Sequence, residues 1–256
     1  CIRDSRGTQR VLDGVSETLC QGEVVAIMGE NGSGKTTLIE AFAGLIPLRS
    51  GDVIWAENGN SIVVRDSQGR RNQPPSMGLT LQKGGVCGDE TVMERISVSL
   101  SVAGIEHSDD QIMELLSQWG LEHRANDRLA HLSGGLSRRV AILGSLAPAA
   151  LSNSPLVVLL DEPSEGLDDS AKDILSSWIR SLSSRNHAIL IATHDKDISS
   201  TADRVLTIRD GSIEERIGKS FGDICDLPQS EERGNKTPVS SLVKWSLKME
   251  VRNPIE

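Results

Sequence analysis

Tyrosine is absent from this 256-residue chain, and two phenylalanines and four tryptophans are its only large aromatic side chains. A core of this length must therefore be mainly aliphatic. No stretch approaches the ~18–20 apolar residues of a membrane span. The polar start, Cys1 to Arg6, carries no signal-peptide core and lacks a Met, as a trimmed or processed chain would. The expectation is a soluble chain whose link to any membrane comes through a partner or a further segment. Positive charge is outnumbered and scattered: 27 Lys and Arg stand against 36 Asp and Glu. The formal net charge is −9, and Arg70-Arg71 and Arg138-Arg139 stand apart instead of forming a stripe, which argues against nucleic acid as a ligand. Cys1, Cys20, Cys87 and Cys225 lack the close pairing of a zinc site and suit a reducing compartment better than a disulfide framework. No internal repeat is evident.

The chain does contain alternating strand and helix signals. Residues 11–19 read as an edge hairpin, and the apolar run 24–28 as a buried strand leading into a glycine-rich loop. A helix is expected over 35–43, capped by Gly44. A strand at 52–55 precedes a polar stretch, 57–76, expected to hold a hairpin with a loose tip at 69–75. Beyond Gln82 the character becomes helical: Ser108 and Gln111 have capping-box form, and Ile112, Leu115, Leu116 and Trp119 follow at helical spacing. Strands return at 156–160, 188–192 and 205–208. Residues 226–238 read as a linker, and 243–251 alternate apolar and polar, as a strand or a surface-lying segment would.

Residues 29–36 satisfy G-x-x-x-x-G-K-[ST] between a strand and a helix. Gly29, Asn31, Gly32, Ser33 and Gly34 form a loop whose amides can converge on phosphate oxygens. The helix start adds unpaired N–H groups. Lys35 supplies a charge near the β- and γ-phosphates, Thr36 a hydroxyl for Mg²⁺, and Thr37 a hydrogen bond to the α-phosphate. The strand at 156–160 ends in Asp161 and Glu162, where a parallel sheet opens its ligand crevice. Asp161 suits Mg²⁺ through a coordinated water, and Glu162 suits the orienting and deprotonation of an attacking water. Ser133, Gly134 and Gly135 make a second glycine-rich helix start, with Ser133 as the cap of a helix from about Ser137.

The order and spacing of these motifs, with Gln82 and His194, resembles the nucleotide-binding cassette of the ABC ATPases over roughly residues 7–217. The resemblance implies an α/β P-loop NTPase core with a mostly parallel sheet, an antiparallel β edge region and a helical insert. In domain terms it implies an ATPase domain at 1–217, with core 1–82 and 141–217, insert about 83–140, and a linker and tail at 218–256. It makes Gln82 a ligand of metal and attacking water, His194 the switch residue at the γ-phosphate, and Ser133, Gly134 and Gly135 a cover for ATP held by a second cassette. Asp168 would pass along that interface. Leu136 stands where the family has Gln, and Arg6 stands near the place of the adenine-stacking aromatic. Extra residues near 149–154 are expected to lengthen a surface loop. The implied activity is MgATP hydrolysis by paired cassettes on the cytoplasmic face of a membrane, coupled to a transmembrane permease. The competing reading is a soluble ABC ATPase of the cofactor-assembly type.

Overall fold

The computed structural model describes residues 15–57, 60–82, 88–209, 212–218 and 223–228, and the backbone of 244–250. Five strands, β2 (Val24–Gly29), β5 (Met77–Thr80), β6 (Val157–Asp161), β7 (Ala188–Ala192) and β8 (Arg204–Arg209), run parallel, and β9 (Ser212–Ile217) closes one edge antiparallel to β8. The order is β5-β6-β7-β2-β8-β9. The central strands are apolar on both faces because both are covered. Val24 and Ala26 of β2, Val158 and Leu160 of β6, and Ile189 and Ile191 of β7 point into one cluster. Val25 and Ile27, Val157 and Leu159, and Ala188 and Leu190 point into the other. The strand period of two thus divides one run of apolar residues between two cores.

The first core is roofed by helices α2 (Val92–Val102), α3 (Asp109–Gln118), α4 (Gly134–Leu151) and α5 (Asp169–Ser184). Trp119 and Trp178 meet there edge to face, centroids 5.6 Å apart, and tie the region of α3 to α5. The second core holds α1 (Lys35–Phe42) and a four-stranded antiparallel sheet, in order β1 (Val15–Glu17), β10 (Lys244–Glu250), β3 (Ser50–Glu57), β4 (Asn60–Asp66). The short helix α6 (Lys196–Ser200) follows β7. The α/β fold class, with its parallel sheet, antiparallel edge region and helical segment, is the one expected.

Local signals behave as written. Ser108 and Gln111 complete a reciprocal capping box at α3, and Thr91 and Glu94 form a second one at α2. Gly44, at φ +68°, ends α1.

Other elements differ from expectation. The described part of the predicted hairpin, β1, pairs with β10 near the far end of the sequence, Val15 opposite Met249, and residues 11–14 lie outside the described residues. In the stretch 57–76, β4 pairs back onto β3, which begins at Ser50. Residues 64–72 then fold on themselves through an antiparallel Arg65–Arg71 bridge and the Asn72 amide on the Val64 carbonyl at 3.0 Å, with Asp66 accepting from the Gln68 and Arg70 amides at the turn. Helix α4 starts at Gly134 rather than Ser137 and runs to Leu151, so residues 149–151, expected in a surface loop, are the buried end of a helix. Part of the supposed linker is docked: Leu227 is buried, and Arg185 donates to the carbonyls of Leu227 and Pro228.

Candidate active site

Three neighbouring strands, β6, β7 and β2, deliver the predicted chemistry to one edge of the sheet. Gly34 caps α1 with φ +109°, a conformation that side-chain-bearing residues avoid. A Cβ at Gly29 would stand 2.5 Å from Ser33 Oγ and 3.0 Å from the Ile208 carbonyl, so the loop could not close around a larger residue. Lys35 is buried, and its ammonium donates to the Gly29 carbonyl at 2.9 Å and the Glu30 carbonyl at 3.3 Å. It also lies 3.4 Å from Glu162 Oε1. Ser33 Oγ is buried without a partner. The cradle therefore holds a cation and an idle hydroxyl, the groups an anion would engage.

Thr36 Oγ1 donates to Asp161 Oδ2 at 2.8 Å, which joins the start of α1 to the end of β6. Asp161 is fully buried, and its Oδ1 has no partner. Burial pushes its carboxyl above the ordinary range, against the hydrogen bond from Thr36, and the charge of Glu162 adds to the rise. A hard cation would relieve this buried oxygen, and Thr36 and Asp161 are the oxygen donors such an ion takes. Among the described residues no cluster of three or more His, Cys, Asp or Glu could hold a metal unaided. Mg²⁺ thus fits here when phosphate oxygens and water complete its shell.

Glu162 is the best-held residue of the site. Its backbone is left-handed, φ +47°, which costs about 1–3 kcal/mol in a non-glycine residue. Its N–H donates to the Ala192 carbonyl at 2.8 Å, and its own carbonyl accepts from Arg138 Nη2 at 2.7 Å. On the side chain, Oε2 lies 2.9 Å from His194 Nδ1 and accepts from the His194 backbone amide at 3.3 Å. Glu162 thus contacts both Lys35 and His194, next in sequence to Asp161 and its Thr36 partner. The His194 side chain remains two-thirds exposed, free to follow a ligand.

The remaining predicted residues divide. Gln82 does not reach the carboxylate pair through its side chain: Nε2 donates to Glu165 Oε2 at 3.1 Å, a partner the sequence reading did not name. Ser133 accepts from the Leu136 amide at 3.4 Å and caps α4, leaving Gly134 and Gly135 at the helix start. Asp168 caps α5 by accepting from Ala171 and takes Arg139 Nη2 at 2.7 Å from both carboxylate oxygens. The Ala171 amide and then Arg139 hold its carboxyl below the usual range. Thr37 follows in the first turn of α1. Arg6 lies outside the described residues. Arg138 was read only as half of a small basic pair; its helical offset of four from Gly134 was the signal that it shares a face with the helix start.

A family model described as ABC transporter matches residues 12–165. The chain belongs to the ABC transporter family. The MacB macrolide export ATP-binding/permease protein of Psychrobacter cryohalolentis is 34% identical over 210 residues, covering 80% of this chain and 30% of that protein. The chain thus spans about a third of the length of the MacB relatives it matches. The LolD lipoprotein-releasing system ATP-binding protein of Granulibacter bethesdensis is 33% identical over 206 residues, 79% of this chain and 87% of LolD. In structure, the dimeric bacterial ABC transporter cassette MJ0796 superposes with a TM-score of 0.69 at 22% identity, over 86% of this chain and 96% of that one. At that identity the likeness speaks for the fold. The fold is that of an ABC ATP-binding cassette, and among the described residues no helix is long and apolar enough to cross a membrane.

Proposed function

We propose that this chain is the ATP-hydrolysing cassette of an ABC transporter. It acts as one of two paired cassettes, peripheral on the cytoplasmic face, and passes its motion to a transmembrane permease. The observation that carries this reading is Glu162, held by Lys35 and His194 beside the Thr36–Asp161 pair. An arriving triphosphate competes with the carbonyls of Gly29 and Glu30 for Lys35 and draws it from Glu162. The freed carboxylate, still beside His194, can then accept a proton from water at the γ-phosphate. Mg²⁺, when bound at Thr36 and Asp161, neutralises developing charge on the phosphates. Gln82, once released from Glu165, would offer its amide oxygen as a further ligand for that ion. Gly134 and Gly135 offer helix-start amides outward to the nucleotide of the second cassette.

The test is ATP turnover by the purified full chain. Lys35→Ala removes a charged contact and weakens ATP binding roughly 10- to 100-fold, in line with about 1.5–3 kcal/mol for such a bond. Glu162→Gln keeps ATP binding and lowers kcat by about 10²–10⁴, the range of general-base catalysis. Capture of the Glu162→Gln form with MgATP from detergent-solubilised native membranes then separates two outcomes. A stoichiometric polytopic protein supports the transporter; soluble partners alone support a non-transport ATPase.

A further inference from the structure

The contact that most distinguishes this site is made by a residue that touches neither carboxylate oxygen of Glu162. Arg138 lies on α4, one turn beyond Gly134, and crosses to the ends of two strands. Its Nη2 donates to the Glu162 carbonyl at 2.7 Å and the Asp161 carbonyl at 3.3 Å, and its Nη1 donates to the Leu81 carbonyl at 3.4 Å. One guanidinium therefore spans the end of β6 and the loop that carries Gln82, a fork no other cationic side chain can reproduce.

Glu162 precedes Pro163, and a residue before proline relaxes toward extended backbone. Its φ of +47° is far from that. Turning it to an extended conformation would swing both its carbonyl and its carboxylate. Two backbone contacts besides that of Arg138 resist the turn: its N–H to Ala192 at 2.8 Å and the Glu165 amide on its carbonyl at 3.2 Å. The Arg138 contact is the shortest of the three and the one that is charge-assisted.

We propose that Arg138 is a positioning residue for hydrolysis: by gripping the Asp161 and Glu162 carbonyls it holds the left-handed peptide that aims Glu162 at the attacking water. The proposal rests on the ATPase reading above. It also makes α4 a mechanical neighbour of Glu162, because the helix whose capped start carries Gly134 and Gly135 supplies the guanidinium. Any displacement of that helix is felt by the general base in the same chain.

The experiment uses the full chain with Arg138→Lys, Arg138→Gln and Arg138→Met, and each again in the Glu162→Gln background. Expected is a 10- to 100-fold fall in kcat for Gln and Met, the scale of an ångström-sized misplacement. Lys, one donor in place of a fork, falls between. ATP affinity, read with a fluorescent ATP analogue, stays within twofold, and the Glu162→Gln form loses nothing further when Arg138 is also changed. Variants as active as the wild type would overturn the proposal. So would weaker ATP binding at unchanged kcat, or an added loss in the Glu162→Gln background. If Arg138→Met fails to fold, Lys and Gln decide by the same criteria. Inactive wild type would sink the ATPase reading itself; active wild type with active Arg138 variants sinks only the positioning role.

Discussion

His187 holds a proton-sensitive position away from the phosphate chemistry. It is buried, its Nδ1 accepts the Leu156 amide at 3.0 Å, and burial, helped by the charge of Arg185, lowers its pKa from 6.5 to about 4. The ring is thus neutral in the folded chain, as an acceptor must be. Between pH 4 and 6.5 the unfolded chain binds the proton that the folded chain refuses, so stability rises with pH across that window. The contribution is complete above about 6.5 and lost as pH falls to about 4, a swing of roughly 3 kcal/mol. Denaturant titrations at pH 4.5 and 7 should show His187→Asn, which keeps an acceptor, with a shallower pH dependence than the wild type. Equal slopes would exclude this origin. At this scale the sequence spoke clearly for Lys35, Thr36, Asp161 and Glu162, because each stands at a fixed offset from a strand end or helix start. It named no partner for Arg138 or Glu165, whose contacts with the Leu81 carbonyl and the Gln82 side chain join positions far apart along the chain.

Among elements, the segment at 223–228 is the one whose role differs most from its composition. Its end, 226–228, falls in the charged stretch that read as linker, yet Leu227 enters the helical core, and Arg185 braces the carbonyls of Leu227, Pro228 and, in α4, Ala150. Ser181 on α5 exchanges hydrogen bonds with the Cys225 backbone, and Gln118 at the end of α3 donates to the Asp226 carbonyl. The strap therefore bonds to α3 and to α5 with its cap, and the Arg185 that holds it also reaches α4. Leu227→Ala should cost about 2–5 kcal/mol, the range for emptying a buried leucine site. A lowered denaturation midpoint with unchanged slope would report it, and a change under 0.5 kcal/mol would mean that the strap is incidental. Strands and caps were legible because their signals are local: β2, β6 and β7 are short apolar runs, and Ser108–Gln111 a four-residue motif. The strap and the partner of β1 were not, since one leucine and one alternating tail acquire meaning only from surfaces built elsewhere.

For the whole molecule, the paired-cassette reading has a direct physical consequence. Gly134 and Gly135 stand at the capped start of α4, and Asp168 lies at the start of α5, joined to the same helix by Arg139. If these surfaces cover a second nucleotide, the Glu162→Gln chain should double its mass by light scattering on adding MgATP and revert when the nucleotide is removed. Lys35→Ala should remain single. A Glu162→Gln chain that binds ATP yet stays monomeric would speak against self-pairing.

The seating of β10 between β1 and β3 also sets a timetable. Val15 meets Met249 across more than two hundred residues, so during synthesis β1 waits for its neighbour on the order of ten to fifty seconds at ribosomal speeds. Throughout that interval β3 has its β4 partner but offers an open edge toward the vacant position. Every strand of the parallel sheet, β8 being the latest, is made before β10 can close the antiparallel one. Among the described strands, the one made latest is thus the one that seals the earliest, and the nascent chain is most open to mispairing until β10 has emerged.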